Sequence, residues 1–338
     1  MKIVVTGCSG YLGQLLIERL NQEGLGGEDV LGLDLAGASL PDSRMRWVRR
    51  DVRDPALVRD FEGADLVVHL AFIVETMRDR ALMYDVNLGG SRNVLGACER
   101  AGVPNVIVAS SVAAYGVHGQ TVITEQTPLR GDKRSFYAHT KRLVEEEMDV
   151  FGARNPGVRL VRLRPSVILG PRCNTWAIAS MGTTGGLDTE RGIRLPVVHE
   201  QDVVDAIWRC IERPVHGAML LAHREPLTGH DLARLSGTKR RVVPESILTR
   251  LAEASFALGL SRMNRDWLAL TLNNGFRCDP TVTEDALGWS PRFSAEEALE
   301  AALHNARSLD KSARRRASAH IHRLEGTRFP LKHEEASP

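Results

Sequence analysis

Tyr137 and Lys141 stand four residues apart in the run Ser135-Phe136-Tyr137-Ala138-His139-Thr140-Lys141, which opens a stretch of helical patterning that continues to Phe151. On a helix, that spacing puts both side chains on one face about a turn apart. A phenol is a poor acid or base at neutral pH because it titrates near 10, and an ammonium beside it favours the phenolate and draws it toward working pH. Ser111 closes the apolar run 105–111. Its hydroxyl can hydrogen-bond the oxygen that gains or loses the proton. The chemistry these three side chains suit is proton exchange at a hydroxyl or carbonyl oxygen.

A second constellation opens the chain. Residues 2–13 read Lys-Ile-Val-Val-Thr-Gly-Cys-Ser-Gly-Tyr-Leu-Gly and lead into apolar Leu12, Leu15, Leu16 and Leu20 at helical spacing. This is strand, tight turn, helix. Such a turn suits a pyrophosphate: Gly7 supplies the turn, Gly10 the close approach and Gly13 the packing of helix on sheet, while the first-turn amides point at the anion. Asp34 ends the next apolar run, 29–34, about 20 residues further on. A carboxylate there accepts hydrogen bonds from adenosine ribose hydroxyls and repels a 2′-phosphate, which selects NAD over NADP.

The elements that must position these groups follow from the pattern of apolar runs. Further strands are predicted over 45–51, 64–72 and 105–111, apolar on both faces and alternating with helical segments. That is the signature of a parallel sheet covered on both sides, hence an α/β, doubly wound Rossmann fold. His69 inside such a run reads as a hydrogen-bonded core histidine, and the small Ala71 after it leaves room for a cofactor. The segment 80–102 reads as one helix carrying Asn87 near its middle and stopped by Gly102 and Pro104.

Composition sets bounds on function. The 338 residues carry 44 Lys plus Arg against 42 Asp plus Glu, a formal charge of +2, so nothing calls for a nucleic-acid partner. The chain opens directly on strand residues without the pattern of a secretory signal, and no apolar stretch approaches the ~18 residues of a membrane span. The 5 cysteines are scattered, with no Cys-x-x-Cys pair. They read as free thiols in the cytoplasm, with no metal site expected.

The order and spacing of these motifs resemble one family. The Thr6 to Gly13 turn, Asp34, Asp51-Val52, His69-Leu70-Ala71, Asn87, Ser110-Ser111 with Tyr115-Gly116, and Tyr137 to Lys141 look like the extended short-chain dehydrogenases/reductases, the NAD-dependent epimerase/dehydratase group. Arg164-Pro165-Ser166-Val167, His199-Glu200-Gln201-Asp202-Val203 and Leu287-Gly288-Trp289-Ser290-Pro291 extend the likeness to about residue 307. The resemblance implies that Tyr137 is the acid/base, that Lys141 lowers its pKa and holds the nicotinamide ribose, and that Ser111 orients the substrate oxygen. It assigns the NAD site to Gly7, Gly10, Tyr11, Leu12, Gly13, Asp34, Asp51, Val52, Leu70, Ala71, Asn87, Tyr137, Lys141 and Val167. Ser111 is preferred to Ser110 because it stands four residues before Tyr115-Gly116, as the family's catalytic hydroxyl does.

Two departures narrow the expectation. Family dehydratases follow the catalytic hydroxyl with an Asp-Glu pair; here Val112 and Ala113 follow, which disfavours dehydration. The Gly-Asp-Gly-x-x-x-Arg-Asp run of many nucleotide-sugar members is replaced by 190–196, leaving Arg191 and Arg194 either as phosphate contacts or as solvated loop residues. The leading expectation is hydride transfer at a secondary alcohol or ketone carbon, with a nucleotide-sugar epimerase the first choice. A dehydrogenase or reductase of a bulky, steroid-like alcohol is the alternative, since 245–260 and 267–272 give the second lobe apolar helices. A non-catalytic NAD-binding sensor is a rival of another class, and the intact Ser-Tyr-Lys set speaks against it. The expected organisation is an NAD-binding domain over 1–170 completed by later segments, a smaller C-terminal substrate lobe over 171–310 and a basic tail over 311–338. A homodimer through the helices of 80–102 and 135–151 follows from the resemblance.

Overall fold

The computed structural model describes residues 1–37, 44–74, 79–116, 122–173, 178, 181, 184–258, 268 and 276–308. Its centre is a seven-stranded sheet in which every neighbouring pair is parallel. The first five strands in sequence are β1 (Ile3–Thr6), β2 (Gly27–Asp34), β3 (Met45–Arg49), β4 (Leu66–His69) and β5 (Asn105–Ala109). Ten more strands follow among the described residues: β6 (Val122–Ile123), β7 (Arg159–Pro165), β8 (Val167–Leu169), β9 (Leu187–Asp188), β10 (Arg194–Leu195), β11 (Val197–His199), β12 (Gly217–Leu221), β13 (Leu227–Thr228), β14 (Arg241–Val242) and β15 (Arg277–Cys278). The sheet runs β12-β7-β5-β4-β1-β2-β3. The order reverses between β1 and β4, the switch point where doubly wound sheets bind ligands outside the carboxyl ends of their strands.

The double-sided apolar character of the strands is explained by what covers them. Ile3 and Val5 face one core, packed by α1 (Tyr11–Gln22), and Val4 faces the other. A short α2 (Leu57–Phe61) and α3 (Arg80–Tyr84) precede α4 (Gly90–Ala101) and α5 (Phe136–Arg154). Val94, Leu95 and Cys98 of α4 and Val144, Met148 and Phe151 of α5 cover the second face. On the first face α1 packs beside α6 (Glu200–Glu212) through Val203, Ala206, Ile207 and Cys210.

The segment 80–102 is not one uniform helix. α3 passes into a π-helical turn, Asp85–Gly89, before α4 begins, and Asn87 lies in that turn. Gly102 ends α4 in the left-handed region at φ 67°, a conformation glycine adopts without steric penalty. The strands end two or three residues before the predicted limits, because Asp51, Phe72 and Ser111 already belong to the loops of the carboxyl edge.

A separate cluster forms the smaller lobe. It gathers Leu169, Val197 and Leu227 with Leu232 of α7 (Gly229–Ser236), Leu248 of α8 (Glu245–Ala257) and Leu299 and Leu303 of α10 (Ala295–Ser308). Between these helices, α9 (Thr281–Leu287) packs against β12 and places Leu287 in the sheet core. The predicted helix over 245–260 is observed as Glu245–Ala257. The expected helix over 267–272, apart from Leu268, and the basic tail over 311–338 lie outside the described residues.

Candidate active site

The glycine turn has the shape its sequence requires. Gly7 has φ 76°, and a Cβ there would lie 2.6 Å from the Ala71 nitrogen. At Gly13 a Cβ would lie 2.1 Å from the Gly7 carbonyl oxygen, so any side chain would force α1 away from the turn. Gly10 is the exposed N-cap of α1, and its extended backbone offers no side chain to the first-turn amides. A helix N-terminus with amides left over and no acidic residue in its first turn fits a pyrophosphate. Leu12 packs on the first core and Tyr11 on the smaller lobe, where its hydroxyl donates to the buried Glu200 carboxylate.

Asp34 stands beside this turn at the carboxyl end of β2. Its Oδ2 accepts from the Ser9 amide at 3.0 Å and its Oδ1 from the Ala36 amide at 3.1 Å. Each oxygen keeps acceptor capacity for a ribose hydroxyl, so the cradle and the carboxylate together fit a dinucleotide. Asp51 instead meets Arg53, whose guanidinium lies 2.7 Å from Oδ2, and Val52 is buried against Gly90. Leu70 and Ala71, the two residues after β4, lie against the glycine turn.

Asn87 braces the backbone that leaves β4. Its Oδ1 accepts from the Ile73 amide at 2.7 Å and its Nδ2 donates to the Ile73 carbonyl at 3.0 Å. The π turn thereby holds the segment leaving β4, and Ala71 and Phe72 with it. His69 is the core histidine the pattern predicts, 2.7 Å from Thr6 Oγ1 and 3.0 Å from Ser91 Oγ. Burial pushes its imidazole down to about 3, so it is neutral.

Ser111, Tyr137 and Lys141 meet at the edge of the sheet. The Ser111 hydroxyl caps the 3-10 turn Val112–Tyr115 by accepting from the Ala113 amide at 3.1 Å. Ser135 caps α5 by accepting from the Ala138 amide at 3.3 Å, which fixes where Tyr137 enters the site. Lys141 Nζ donates to the Ala109 carbonyl at 2.8 Å and sits 3.5 Å from the centroid of Phe72. The Phe72 and Tyr137 rings meet edge to face at 5.7 Å.

The electrostatics correct one expectation. The phenol of Tyr137 is raised rather than lowered: burial pushes it up, and the nearby Ser111 hydroxyl opposes the shift. Lys141 is itself pushed down to about 7 by burial, with Glu145 pulling the other way. The physical reason is that the ammonium is turned to the Ala109 carbonyl and the Phe72 ring, and both titrating groups have lost water.

Around this group lies a buried network that motif reading missed. Glu145, fully buried, receives Arg164 through Nε at 2.8 Å and Nη2 at 3.0 Å. Arg164 Nη1 donates to the Tyr115 hydroxyl at 3.0 Å and the Glu125 carbonyl at 3.1 Å. Glu125 Oε1 accepts from the Thr283 amide at 3.0 Å, and Thr283 Oγ1 accepts from the Leu220 amide at 2.7 Å. The helical face Tyr137, Lys141, Glu145 was a usable signal; the other partners lie up to 158 residues apart. The later motifs pack on each other: the Asp202 carbonyl accepts from Trp289 Nε1 at 3.0 Å and Asp202 Oδ2 from the Phe293 amide at 3.2 Å. Val167 is 39% exposed at the start of β8, Arg191 is exposed and Arg194 half-buried in β10. Among the described residues no group of acidic, His and Cys side chains could hold a metal ion, and no helix is long and apolar enough to cross a membrane.

Comparison with known proteins bears on the family and the fold. A UDP-glucose 4-epimerase of Lactobacillus helveticus is 27% identical over 308 residues, covering 77% of this chain and 91% of that protein. A 3beta-hydroxysteroid-dehydrogenase/decarboxylase isoform 2 of Arabidopsis thaliana is 32% identical over 185 residues, which is 50% of this chain; the chain spans only 32% of that protein's length. Among solved structures, the UDP-glucuronic acid 4-epimerase from Bacillus cereus in complex with NAD shares the fold, with a TM-score of 0.68 at 19% identity over 91% of this chain and 99% of the other. The model of the NAD dependent epimerase/dehydratase family matches residues 3–220, from β1 through most of β12. With the glycine turn, Asp34 and the Ser-Tyr-Lys group all inside that span, the chain belongs to the NAD-dependent epimerase/dehydratase family.

Proposed function

We propose that this chain is an NAD-dependent oxidoreductase acting at a secondary alcohol or ketone carbon, with Tyr137 exchanging the hydroxyl proton. The observation that carries this is the convergence of Ser111, Tyr137 and Lys141 at the carboxyl end of β5, with the Phe72 ring on Tyr137 and its neighbour Ala71 against Gly7 of the glycine turn. Bound NAD supplies the hydride acceptor or donor. Ser111 hydrogen-bonds the reacting oxygen and steadies the phenolate, and Lys141 supplies the positive charge and a donor for the nicotinamide ribose. Gly7, Gly10, Tyr11, Leu12 and Gly13 receive the pyrophosphate, Asp34 the adenosine ribose, and Asp51 and Val52 flank the adenine. Leu70, Ala71 and Val167 line the rest, and Asn87 acts by holding the segment that carries Ala71.

The substrate reading favoured by the likeness to a UDP-glucose 4-epimerase along nearly its whole length is epimerisation of a nucleotide sugar. A second reading, dehydrogenation of an apolar alcohol, is favoured by the exposed valines Val74 at 62% and Val167 at 39%, which leave apolar surface after β4 and at the start of β8. Residues 1–170 with β12 would then form the cofactor and catalytic unit, and 171–310 the substrate lobe. The cytoplasm suits the free, buried cysteines, and a homodimer through α4 and α5 would cover exposed Val150.

The test is Tyr137→Phe in the purified protein supplied with UDP-glucose or with secondary alcohols. Loss of turnover by two orders of magnitude or more, with NAD affinity within about threefold, supports the assignment. Unchanged turnover refutes it.

A further inference from the structure

Phe72 occupies a position that the chemistry described above does not use. It follows Ala71 where the chain leaves β4, and Asn87 clamps the next residue, Ile73, by both ends of its amide. Its ring is therefore held on a braced segment. The ring face lies 3.5 Å from Lys141 Nζ and meets the Tyr137 ring edge to face at 5.7 Å and 89°. An ammonium has three donors and no acceptor. One N–H of Lys141 goes to the Ala109 carbonyl, and the face of Phe72 takes a second direction.

We propose that Phe72 is a positioning residue for the catalytic pair: its ring face holds the buried Lys141 ammonium beneath the half-buried Tyr137 and helps keep it charged. The proposal rests on the oxidoreductase reading of Ser111, Tyr137 and Lys141. The groups around Lys141 leave few other ways to hold that charge. On α5 there are Tyr137 and Glu145, the latter already bound twice by Arg164 of β7 and 3.5 Å from Arg162. From β5 and the loop after it come the Ala109 carbonyl, Ser110 and Ser111, and from β4 comes His69, which is neutral. Among the described residues no carboxylate lies within ion-pair distance of Lys141. A ring face attracts a cation through its quadrupole, and most strongly where water is excluded. Burial works against the charged amine, pushing it down to about 7 although Glu145 pulls the other way. The ring works against that shift without bringing a negative charge that would repel the phenolate.

The experiment titrates Lys141 directly in the NAD-free protein, by nuclear magnetic resonance of isotope-labelled lysine side chains, with Lys141→Met identifying the signal. Phe72→Leu keeps the apolar bulk and removes the ring face. The expected result is a three- to tenfold shift of the Lys141 protonation equilibrium toward the neutral amine, restored to the parent value by Phe72→Tyr. Phe72→Met serves in place of Leu if that variant does not fold. Turnover at pH 8 should fall by the same factor with KM unchanged within twofold. A Lys141 that titrates in Phe72→Leu or Phe72→Met as in the parent overturns the proposal. If the parent turns over none of the substrates offered, the oxidoreductase reading fails, while the lysine titration still decides the role of Phe72.

Discussion

Glu145→Gln is the perturbation from which the structure yields the most definite number. The substitution keeps the shape of the side chain and removes its charge, leaving the Arg164 guanidinium 5% exposed without its carboxylate. Two hydrogen bonds between opposite charges, at 2.8 and 3.0 Å, become at best one from the guanidinium to an uncharged amide oxygen. At an effective dielectric of about 20, unit charges about 4 Å apart interact by roughly 4 kcal/mol, and breaking a buried pair from one side typically costs about 3–5 kcal/mol. Because Arg164 keeps Tyr115 and the Glu125 carbonyl, the lower end, about 3 kcal/mol, is expected. With a urea slope of ~3 kcal/mol per molar, the denaturation midpoint should drop by about 1 M. Burial raises the Glu145 carboxyl while Arg164 lowers it, and the balance lies below the ordinary 4.5. A carboxylate with a depressed folded pKa adds stability that is complete above the unfolded value and vanishes as pH falls through the folded one. The gap between parent and Gln variant should therefore be constant from pH 7 to 5.5 and close below pH 4.5. Replacing both partners, in Glu145→Leu with Arg164→Met, should recover most of the loss. A midpoint within 0.3 M of the parent for the single variant would refute the reasoning, as would a double variant no better than the single ones.

Three further outcomes are expected. Gly13→Ala, whose methyl would sit 2.1 Å from the Gly7 carbonyl oxygen, should weaken NAD binding at least tenfold in calorimetric titration, whereas Gly157→Ala, with open space around it, should leave binding unchanged. Asp34→Ala should raise the ratio of NADP to NAD affinity by about tenfold, since it removes both the ribose acceptor and the repulsion of a 2′-phosphate; a ratio already favouring NADP in the parent would sink the role given to Asp34. Lys141 titrates near 7 when folded against an ordinary 10.5, so between those values the unfolded chain binds the extra proton and stability should rise with pH. The melting temperature of the NAD-free parent should thus gain on that of Lys141→Met from pH 7 to pH 9, and parallel curves would contradict the burial argument.

What was legible in the sequence was the chemistry carried by local spacing. Gly7, Gly10 and Gly13 announce a turn because each glycine answers a steric demand within a few residues, and Tyr137 and Lys141 announce a shared face because helical pitch is fixed. Asp34 was legible from its place at the end of a strand. The network through Glu145, Arg164, Tyr115, Glu125 and Thr283 was not, because its partners are brought together only by the order of the strands. Phe72 reads as core in any pattern scan, and only its distance to Lys141 separates it from its neighbours. The direction of the Tyr137 shift was not legible for a related reason. Pairing an ammonium with a phenol predicts attraction, but the extent of burial, which dominates here, is a property of the whole fold.

The strand that completes the sheet comes late. β12 contributes Gly217–Leu221 beside β7, and its Leu220 amide is tied through Thr283 to Glu125 in the first half of the chain. A nascent polypeptide therefore reaches residue 170 with one margin of its sheet bare, and an open hydrogen-bonding margin invites pairing with other chains. Cutting the gene at that point would yield a sticky fragment rather than a miniature enzyme. The sheet begun by the first 170 residues is thus finished by a strand drawn from the second half of the chain.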